Sequence, residues 1–198
     1  MTRIIAGNAG GRRLRTPAGL LTRPTADRVR EALFSAVESR LGGLAGRRFL
    51  DVYAGSGAVG LEAGSRGAVH VTLVEQELPA AALIRANAAQ LGMQQIVTVI
   101  AGRAERVVAS GAGPLPGSPF DVAFLDPPYE LATDQLCAVI SDLAQSGSLT
   151  SDALLVVERA RRGDAWRWPD PVQPVRDKRY GESMLWYGQL AHHVAEEQ

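Results

Sequence analysis

The chain has little of what builds metal centres, covalent staples or membrane spans. Of its 198 residues one is cysteine, Cys137, and three are histidine: His70, His192 and His193. A single thiol forms no internal disulfide and no cysteine metal cluster. None of the histidines stands at metal-ligand spacing from another ligand, and the last two fall in a tail expected to fray, His192 to Gln198. No apolar run is long enough to cross a bilayer. The opening residues, Met1-Thr2-Arg3-Ile4-Ile5-Ala6, lack the apolar centre of a signal peptide, which predicts a cytoplasmic protein. There is no internal repeat and no low-complexity segment. Formal net charge is zero. What remains is ordinary globular composition, 46% hydrophobic and 21% charged, in a length that suits one sizeable domain with a real core.

The balanced charge is unevenly spread. Arg3, Arg12, Arg13, Arg15, Arg23, Arg28 and Arg30 face one acid, Asp27, in the opening segment. A basic arm on a neutral protein predicts contact with phosphate; a merely solvated arginine-rich surface is the plainer alternative. Arg3 to Ala6 and Arg12 to Arg15 flank Gly7-Asn8-Ala9-Gly10-Gly11, the pattern of a β-hairpin. Such a hairpin is too small to bury a core, so residues 1–22 are expected to form an arm resting on a main domain, residues 23–198. Thr25 reads as a helix cap with Asp27 in the favoured first turn. Val29, Leu33, Val37 and Leu41 then form an apolar stripe that ends at Gly42-Gly43.

From there the chain alternates. Strands are predicted at Arg48–Tyr53, Val69–Glu75, Ile96–Ile100, Phe120–Leu125 and Ala153–Glu158, with helices between them. The last of these helices carries Leu136, Val139, Ile140 and Leu143 on one face. This alternation predicts a parallel sheet covered on both sides. The Gly/Pro-rich stretch Ser110 to Pro119 reads as a flexible loop at the sheet's amino edge. Two final runs, Val172–Tyr180 and Ser183–Leu190, are joined too closely for anything but a hairpin, so the seventh strand runs antiparallel. The sixth is then parallel to the rest. Its carboxyl end, with Arg176, Lys178, Arg179 and Tyr180, is expected to edge a substrate cleft beside the N-terminal arginines. Trp166 and Trp168 read as packing residues before RNA-stacking ones.

The first strand ends in Asp51-Val52-Tyr53-Ala54-Gly55-Ser56-Gly57-Ala58-Val59-Gly60. Gly55-x-Gly57-x-x-Gly60 is the spacing of a dinucleotide-binding turn, and Glu75 ends the next strand where a ribose would be held. Read alone, the pair points to NAD. Asp51 argues otherwise, because a carboxylate there repels a pyrophosphate and suits the ammonium or sulfonium of a zwitterionic ligand, S-adenosylmethionine. Ala54, Gly55, Ser56 and Gly57 would cradle that ligand, and Glu75 would accept its ribose hydroxyls. Arg103 and Ala104 would lie against adenine, with no acid there until Glu105.

The fourth strand ends in Asp126-Pro127-Pro128-Tyr129. Two prolines cannot extend a sheet, so the chain leaves it at Asp126 with backbone carbonyls unclaimed. A carboxylate, free carbonyls and an aromatic face suit a planar ring bearing an NH2 group. Accepting both N–H protons would draw the nitrogen toward tetrahedral geometry and aim its lone pair at a sulfonium methyl. Tyr129 would stack on the base, which must be unpaired or flipped. Cys137, inside a helix beyond the motif, is poorly placed as a nucleophile toward cytosine C5 and reads as a small packing residue.

On these residues the chain resembles the RsmD family, the bacterial small-subunit (16S) ribosomal RNA guanine-N2 methyltransferases. The resemblance rests on Arg3-Ile4-Ile5-Ala6-Gly7, Arg23-Pro24-Thr25-Ala26-Asp27-Arg28-Val29-Arg30-Glu31, the glycine turn, Asp126-Pro127-Pro128-Tyr129 and Arg179-Tyr180-Gly181. It implies a seven-stranded Rossmann-like class I S-adenosylmethionine-dependent methyltransferase fold. That sheet is mostly parallel, with a C-terminal antiparallel strand and the N-terminal hairpin appended. It also implies S-adenosylmethionine as cofactor, Thr25 closing over its methionine end unless Thr25 only caps, and Asp126, Pro127, Pro128 and Tyr129 as the catalytic group. The implied partner is small-subunit ribosomal RNA on an assembling 30S particle, met by a monomer without metal, with Arg3, Arg12, Arg13, Arg15, Lys178, Arg179 and Tyr180 toward the RNA. The chain departs from the family pattern at Tyr53, where phenylalanine is common, and in the missing acid after the third strand. Three other readings stay open at this point: an adenine-N6 methyltransferase acting on DNA, an NAD-dependent oxidoreductase, and a non-catalytic RNA-binding module.

Overall fold

A computed structural model describes residues 2–16, 24–109, 111, 113–160 and 166–191, with the side chains of residues 24–26 outside that description. The apolar runs form seven strands: β1 (Arg48–Val52), β2 (His70–Glu75), β3 (Val97–Ala101), β4 (Phe120–Leu125), β5 (Leu149–Ala160), β6 (Val172–Tyr180) and β7 (Ser183–Leu190). Their spatial order is β3-β2-β1-β4-β5-β7-β6. The first five are parallel, and β7 pairs antiparallel with both β5 and β6. Two reversals make β6 parallel to β5, as the hairpin argument requires. The helices are α1 (Pro24–Leu41), α2 (Ala58–Ser65), α3 (Leu78–Leu91), the single turn α4 (Ala104–Val107) and α5 (Thr133–Gln145). No helix among the described residues is long and apolar enough to cross a membrane.

Alternation along each strand splits the core into two layers. On one face Val29, Leu33, Phe34 and Val37 of α1 bury against Phe49, Val122, Phe124, Leu154, Val156 and Tyr187. On the other, Leu136, Val139, Ile140 and Leu143 of α5 bury against Leu50, Val52, Ala123, Leu125, Leu155 and Val157. Cys137 is half-buried beside that second layer. Burial raises its thiol pKa, with Asp134 adding to the rise.

Three sequence expectations change. Helix α1 begins at Pro24, a first-turn position that proline's fixed φ favours, so Thr25 lies inside the helix instead of capping it. The Gly/Pro-rich stretch does enter at the sheet's amino edge, but its described residues are tied down. Leu115 N donates to Ser148 Oγ (2.9 Å), Thr72 Oγ1 to Pro116 O (2.7 Å) and Arg48 Nη1 to Gly117 O (2.9 Å). The N-terminal hairpin shrinks to one antiparallel pair, Arg3 with Arg13, flanked by Ile4 N to Arg12 O and Leu14 N to Thr2 O, both 2.9 Å. The expected tail, His192 to Gln198, lies outside the described residues.

The arm does not rest loosely on the domain. Ile4, Ala9 and Leu14 are buried with Leu61, Ala88, Leu91 and Met93 of the domain in a third apolar cluster. Beside it Glu62, 0% exposed, accepts from Ile5 N (2.7 Å), Ala6 N (2.9 Å) and Arg66 Nε (2.8 Å), with Arg30 Nε at 3.9 Å. Ser65 Oγ donates to Ala6 O (2.6 Å) and accepts from Ala9 N (2.9 Å). At Gly7, with φ +80°, a Cβ would lie 1.9 Å from Ser65 O, so only glycine lets the arm approach α2 this closely. Asn87 of α3 closes the arm by bonding both backbone groups of Arg15.

Candidate active site

The glycine turn is built by two acids. Gly60 N donates to Asp51 Oδ2 (2.8 Å), which fixes the first turn of α2 against β1. A Cβ at Gly60 would stand 2.7 Å from Leu73 Cδ2, so the third glycine serves close packing of helix on sheet. Glu75 Oε2 accepts from Gly55 N and Oε1 from Glu77 N, both 2.7 Å. One carboxylate therefore holds the turn and the start of α3 together, and its remaining lone pairs are free for a ligand. Tyr53 enters the turn at φ +69°, the one non-glycine residue with positive φ among the described residues, and its hydroxyl has no partner. Strain of this kind gathers at functional sites.

A cavity of about 660 Å³ opens over the carboxyl ends of β1, β2, β3 and β4. Its walls include Tyr53, Gly55, Glu75, Arg103, Ala104 and the whole Asp126-Pro127-Pro128-Tyr129 segment. Glu105, the first acid after the third strand, lines it as well. A second cavity, about 240 Å³, lies between α1 and the turn, walled by Val29, Arg30, Leu33, Ala54, Gly55, Ser56, Asp126 and Glu158. Asp126 belongs to both. Asp51 lines neither: it is 1% exposed beneath the turn, and its Oδ1 has no partner. Burial pushes its carboxyl up to about 7, against the pull of the Gly60 amide, with Glu75 adding repulsion.

Asp126 stands open to the water of these cavities, yet it lies on the floor of a cleft with protein on nearly every side. That surrounding mass raises its pKa well above the usual carboxylate range, and then Glu158 and Asp51 raise it further. Glu158 is raised too, by burial, with a Ser183 hydrogen bond opposing. Next to it Arg159 gives both Nη atoms to Leu131 O, at 3.1 and 3.2 Å, clamping the loop that follows the two prolines. Tyr129, on that loop, is 80% exposed, its ring free on the cavity rim.

Sequence reading thus names the turn and much of the larger cavity's wall, but misses Gln76, Glu130, Leu131 and Gln135 in that wall, and also Glu158, Arg159, Glu62 and Ser65. One signal could have found Glu158: it ends the apolar run of β5 as Asp126 ends that of β4. Gly57 is buried at the α2 N-cap with φ +75° and lines neither of these cavities. Thr25 sits in the first turn of α1, its side chain outside the described set. The proposed RNA contacts separate into two groups. Lys178, Arg179 and Tyr180 end β6 on the cavity side; Lys178 Nζ lies 5.5 Å from the Tyr180 ring and Arg179 Nε donates to Gly181 O (3.0 Å). Arg3, Arg12, Arg13 and Arg15 are exposed on the arm, which packs toward the ends of α2 and α3 remote from the glycine turn, not beside β6. Arg12 reaches the last-turn carbonyls Gln90 O and Leu91 O, where a cation offsets the helix dipole.

A family model described as conserved hypothetical protein 95 matches residues 2–189. The chain is 40% identical over 159 residues to ribosomal RNA small subunit methyltransferase D of Escherichia coli strain K12, covering 79% of this chain and 73% of that protein. It superposes on the solved structure of Escherichia coli yhhF with a TM-score of 0.80, 32% identity, and coverage of 96% and 98%. Magnesium protoporphyrin IX methyltransferase from Synechocystis, solved with bound SAM, matches at TM-score 0.64 and 16% identity over 84% of this chain and 80% of that one, a likeness of fold.

Proposed function

The chain belongs to the conserved hypothetical protein 95 family, the RsmD-like group that its sequence resembles, and on that premise we propose that it transfers a methyl group from S-adenosylmethionine to small-subunit ribosomal RNA, at the exocyclic N2 of a guanine. The observation that carries this reading is the position of Asp126, shared by the large cavity beside Glu75 and the smaller one beside α1.

The residues fit the cofactor. Glu75 is buried with unused lone pairs at a ribose position, and a buried Asp51 oxygen without a partner sits beneath the turn, where a cationic ammonium is welcome. Glu75 would hold the ribose, Ala54, Gly55 and Ser56 the amino-acid end, Arg103 and Ala104 the adenine edge, with Gly57 shaping the turn and Thr25 closing from α1. Bound there, S-adenosylmethionine supplies a methyl group made electrophilic by a cationic sulfur.

The chain's own residues do the rest. Asp126 and the carbonyl beside Pro127 accept the two protons of the amine, turning its lone pair out of the ring's π system. The rigid Pro127-Pro128 pair fixes that geometry without further ordering cost. Asp126, with its raised proton affinity, takes the proton the nitrogen gives up. Tyr129 offers a free ring face for stacking an extruded base. Residues 1–22 serve as the RNA-contacting arm of a methyltransferase domain, residues 23–198, with Arg3, Arg12, Arg13, Arg15, Lys178, Arg179 and Tyr180 toward phosphate. The working form is a metal-free monomer acting in the cytoplasm on an assembling 30S particle.

The test is methyl transfer from labelled S-adenosylmethionine to unmethylated small-subunit RNA and particles, followed by mass analysis of the modified nucleoside. N2-methylguanosine is the expected product; N6-methyladenosine would establish the adenine reading that the same four-residue motif permits. Asp126→Ala should lower transfer at least about a hundredfold, the scale of losing a positioned acceptor, while cofactor affinity measured by calorimetry changes little. Undiminished transfer would remove Asp126 from the mechanism.

A further inference from the structure

The guanine reading gives no task to Glu158, yet Glu158 lines the smaller cavity beside α1 with Asp126, and the two acids also share a crevice of about 10 Å³ beside Ser183 of β7. Leu125 of β4 pairs with Val157 of β5, so Asp126 and Glu158 are the next residues outward on neighbouring parallel strands, which run about 4.8 Å apart. Phe124 and Val156 both face the α1 layer, and alternation turns Asp126 and Glu158 the same way. Among the described residues no cation lies within ion-pair distance of either acid. The adjacent Arg159 is committed to Leu131 O, and Arg30 to Arg3 O and Asp27. Ser183, at the start of β7, stands beside the Glu158 carboxylate.

Two neighbouring carboxylates with no cation await hydrogen-bond donors from a ligand. The Watson–Crick edge of guanine presents such a row: N1–H directly beside the N2 amine. Adenine and 2-aminopurine present a bare N1 lone pair at the corresponding position. We propose that Glu158 is the specificity-determining residue of this site, accepting N1–H of the target guanine while Asp126 and the carbonyl beside Pro127 hold its N2 amine. This rests on the N2-methylation reading above. A purine lacking N1–H would set its lone pair against the half-buried Glu158 carboxylate and offer that acceptor no donor. A site built around a hydrogen bond rejects such analogues strongly. The substrate class is therefore narrower than "a base with an amine": it is a purine that carries both an amine on C2 and a proton on N1, as guanine does.

The experiment uses the full chain. Mass analysis first locates the guanine that the wild-type protein methylates in small-subunit RNA. Ligated RNA carrying guanine or 2-aminopurine at that position is then assayed under single turnover with wild type, Glu158→Gln and Glu158→Asp. Wild type should favour guanine. Glu158→Gln, whose amide can donate to a bare N1, should lose at least about tenfold on guanine and shift the guanine-to-2-aminopurine ratio by more than that. Glu158→Asp, which keeps the charge at shorter reach, should retain the preference at lower rate. Calorimetric affinity for S-adenosylmethionine and Tm are followed for each variant, and both should stay near wild type. A folded Glu158→Gln with an unchanged ratio overturns the proposal and leaves N2 methylation standing, with Glu158 reduced to an anchor for Ser183. No N2-methylguanosine from wild type overturns both.

Discussion

At the scale of single residues, Asp51 couples the site to pH. Its folded carboxyl titrates at about 7 because it is buried, against about 3.9 in an unfolded chain. Between roughly pH 4 and 7 the folded protein keeps a proton that the unfolded chain has released. Stability of the free protein should therefore fall as pH rises through that window, by on the order of a few kcal/mol, and level off above it. A cationic ammonium arriving near Asp51 lowers that pKa again. Cofactor binding near pH 6 should release close to one proton, read from calorimetry in buffers of different ionisation enthalpy. Asp51→Asn should abolish the release and lessen the pH slope of stability, leaving the part that the raised Asp126 and Glu158 carboxyls contribute; an undiminished slope in the variant places its origin elsewhere. The glycine turn, Glu75 and Asp126 were legible in sequence because each ends an apolar strand next to residues that break a sheet. Tyr53 was legible only as a departure; its positive φ and unpartnered hydroxyl are properties of the folded turn.

At the scale of elements, two clamps decide whether the loops hold their shape. Arg159 fixes the segment after Pro128 through Leu131 O, 28 residues away in sequence. Arg159→Met keeps much of the apolar stem but loses both hydrogen bonds. It should lower Tm by roughly 3–12 °C, since a hydrogen bond from a charged group contributes roughly 1.5–3 kcal/mol. It should also lower transfer on RNA several-fold with little change in cofactor affinity, because the freed loop carries Tyr129. Glu62 is the other clamp. Glu62→Ala would leave Arg30 and Arg66 buried without their shared acid and two arm amides without an acceptor, a loss of roughly 3–5 kcal/mol. A lower Tm and faster proteolysis within residues 2–16 are the expected signs. Strands and helices were readable because burial imposes periods of two and near four on the sequence. The clamps were not, since Glu62 meets Ile5 across 57 positions and its helical neighbours give no sign of that partner. Thr25 shows the smaller error of placing a cap where proline had already started the helix.

At the scale of the whole molecule, the arm is part of the fold. Deleting the residues before Arg23 removes Ile4, Ala9 and Leu14 from a buried cluster and uncovers Glu62, so the truncated chain should melt well below the intact one. Loss of methylation in it would say little about RNA. Substituting Arg3, Arg13 and Arg15 together by Gln is the cleaner change, since their side chains are exposed and are not held to the domain by charge. That variant should keep its Tm and bind small-subunit RNA more weakly. The dependence of log affinity on log salt should grow shallower by about one for each phosphate the arm no longer neutralises. An unchanged slope would mean that these arginines face solvent only. Sequence periodicity revealed the sheet and its final reversal. Which way the arm packed depended on Gly7 meeting Ser65 and Arg15 meeting Asn87, and no local pattern encodes either contact.

The insertion of β7 between β5 and β6 has a consequence for synthesis. Residues 183–190 are made after every other strand of the sheet, and until they arrive β5 has a bare edge, β6 has no strand to pair with and Glu158 lacks Ser183 beside it. A nascent chain still missing that strand would own the glycine turn and the Asp-Pro-Pro-Tyr segment but could not complete the wall beside them. Competence would thus begin only once residue 190 has been made, and a chain cut anywhere before residue 183 should be unable to act on RNA.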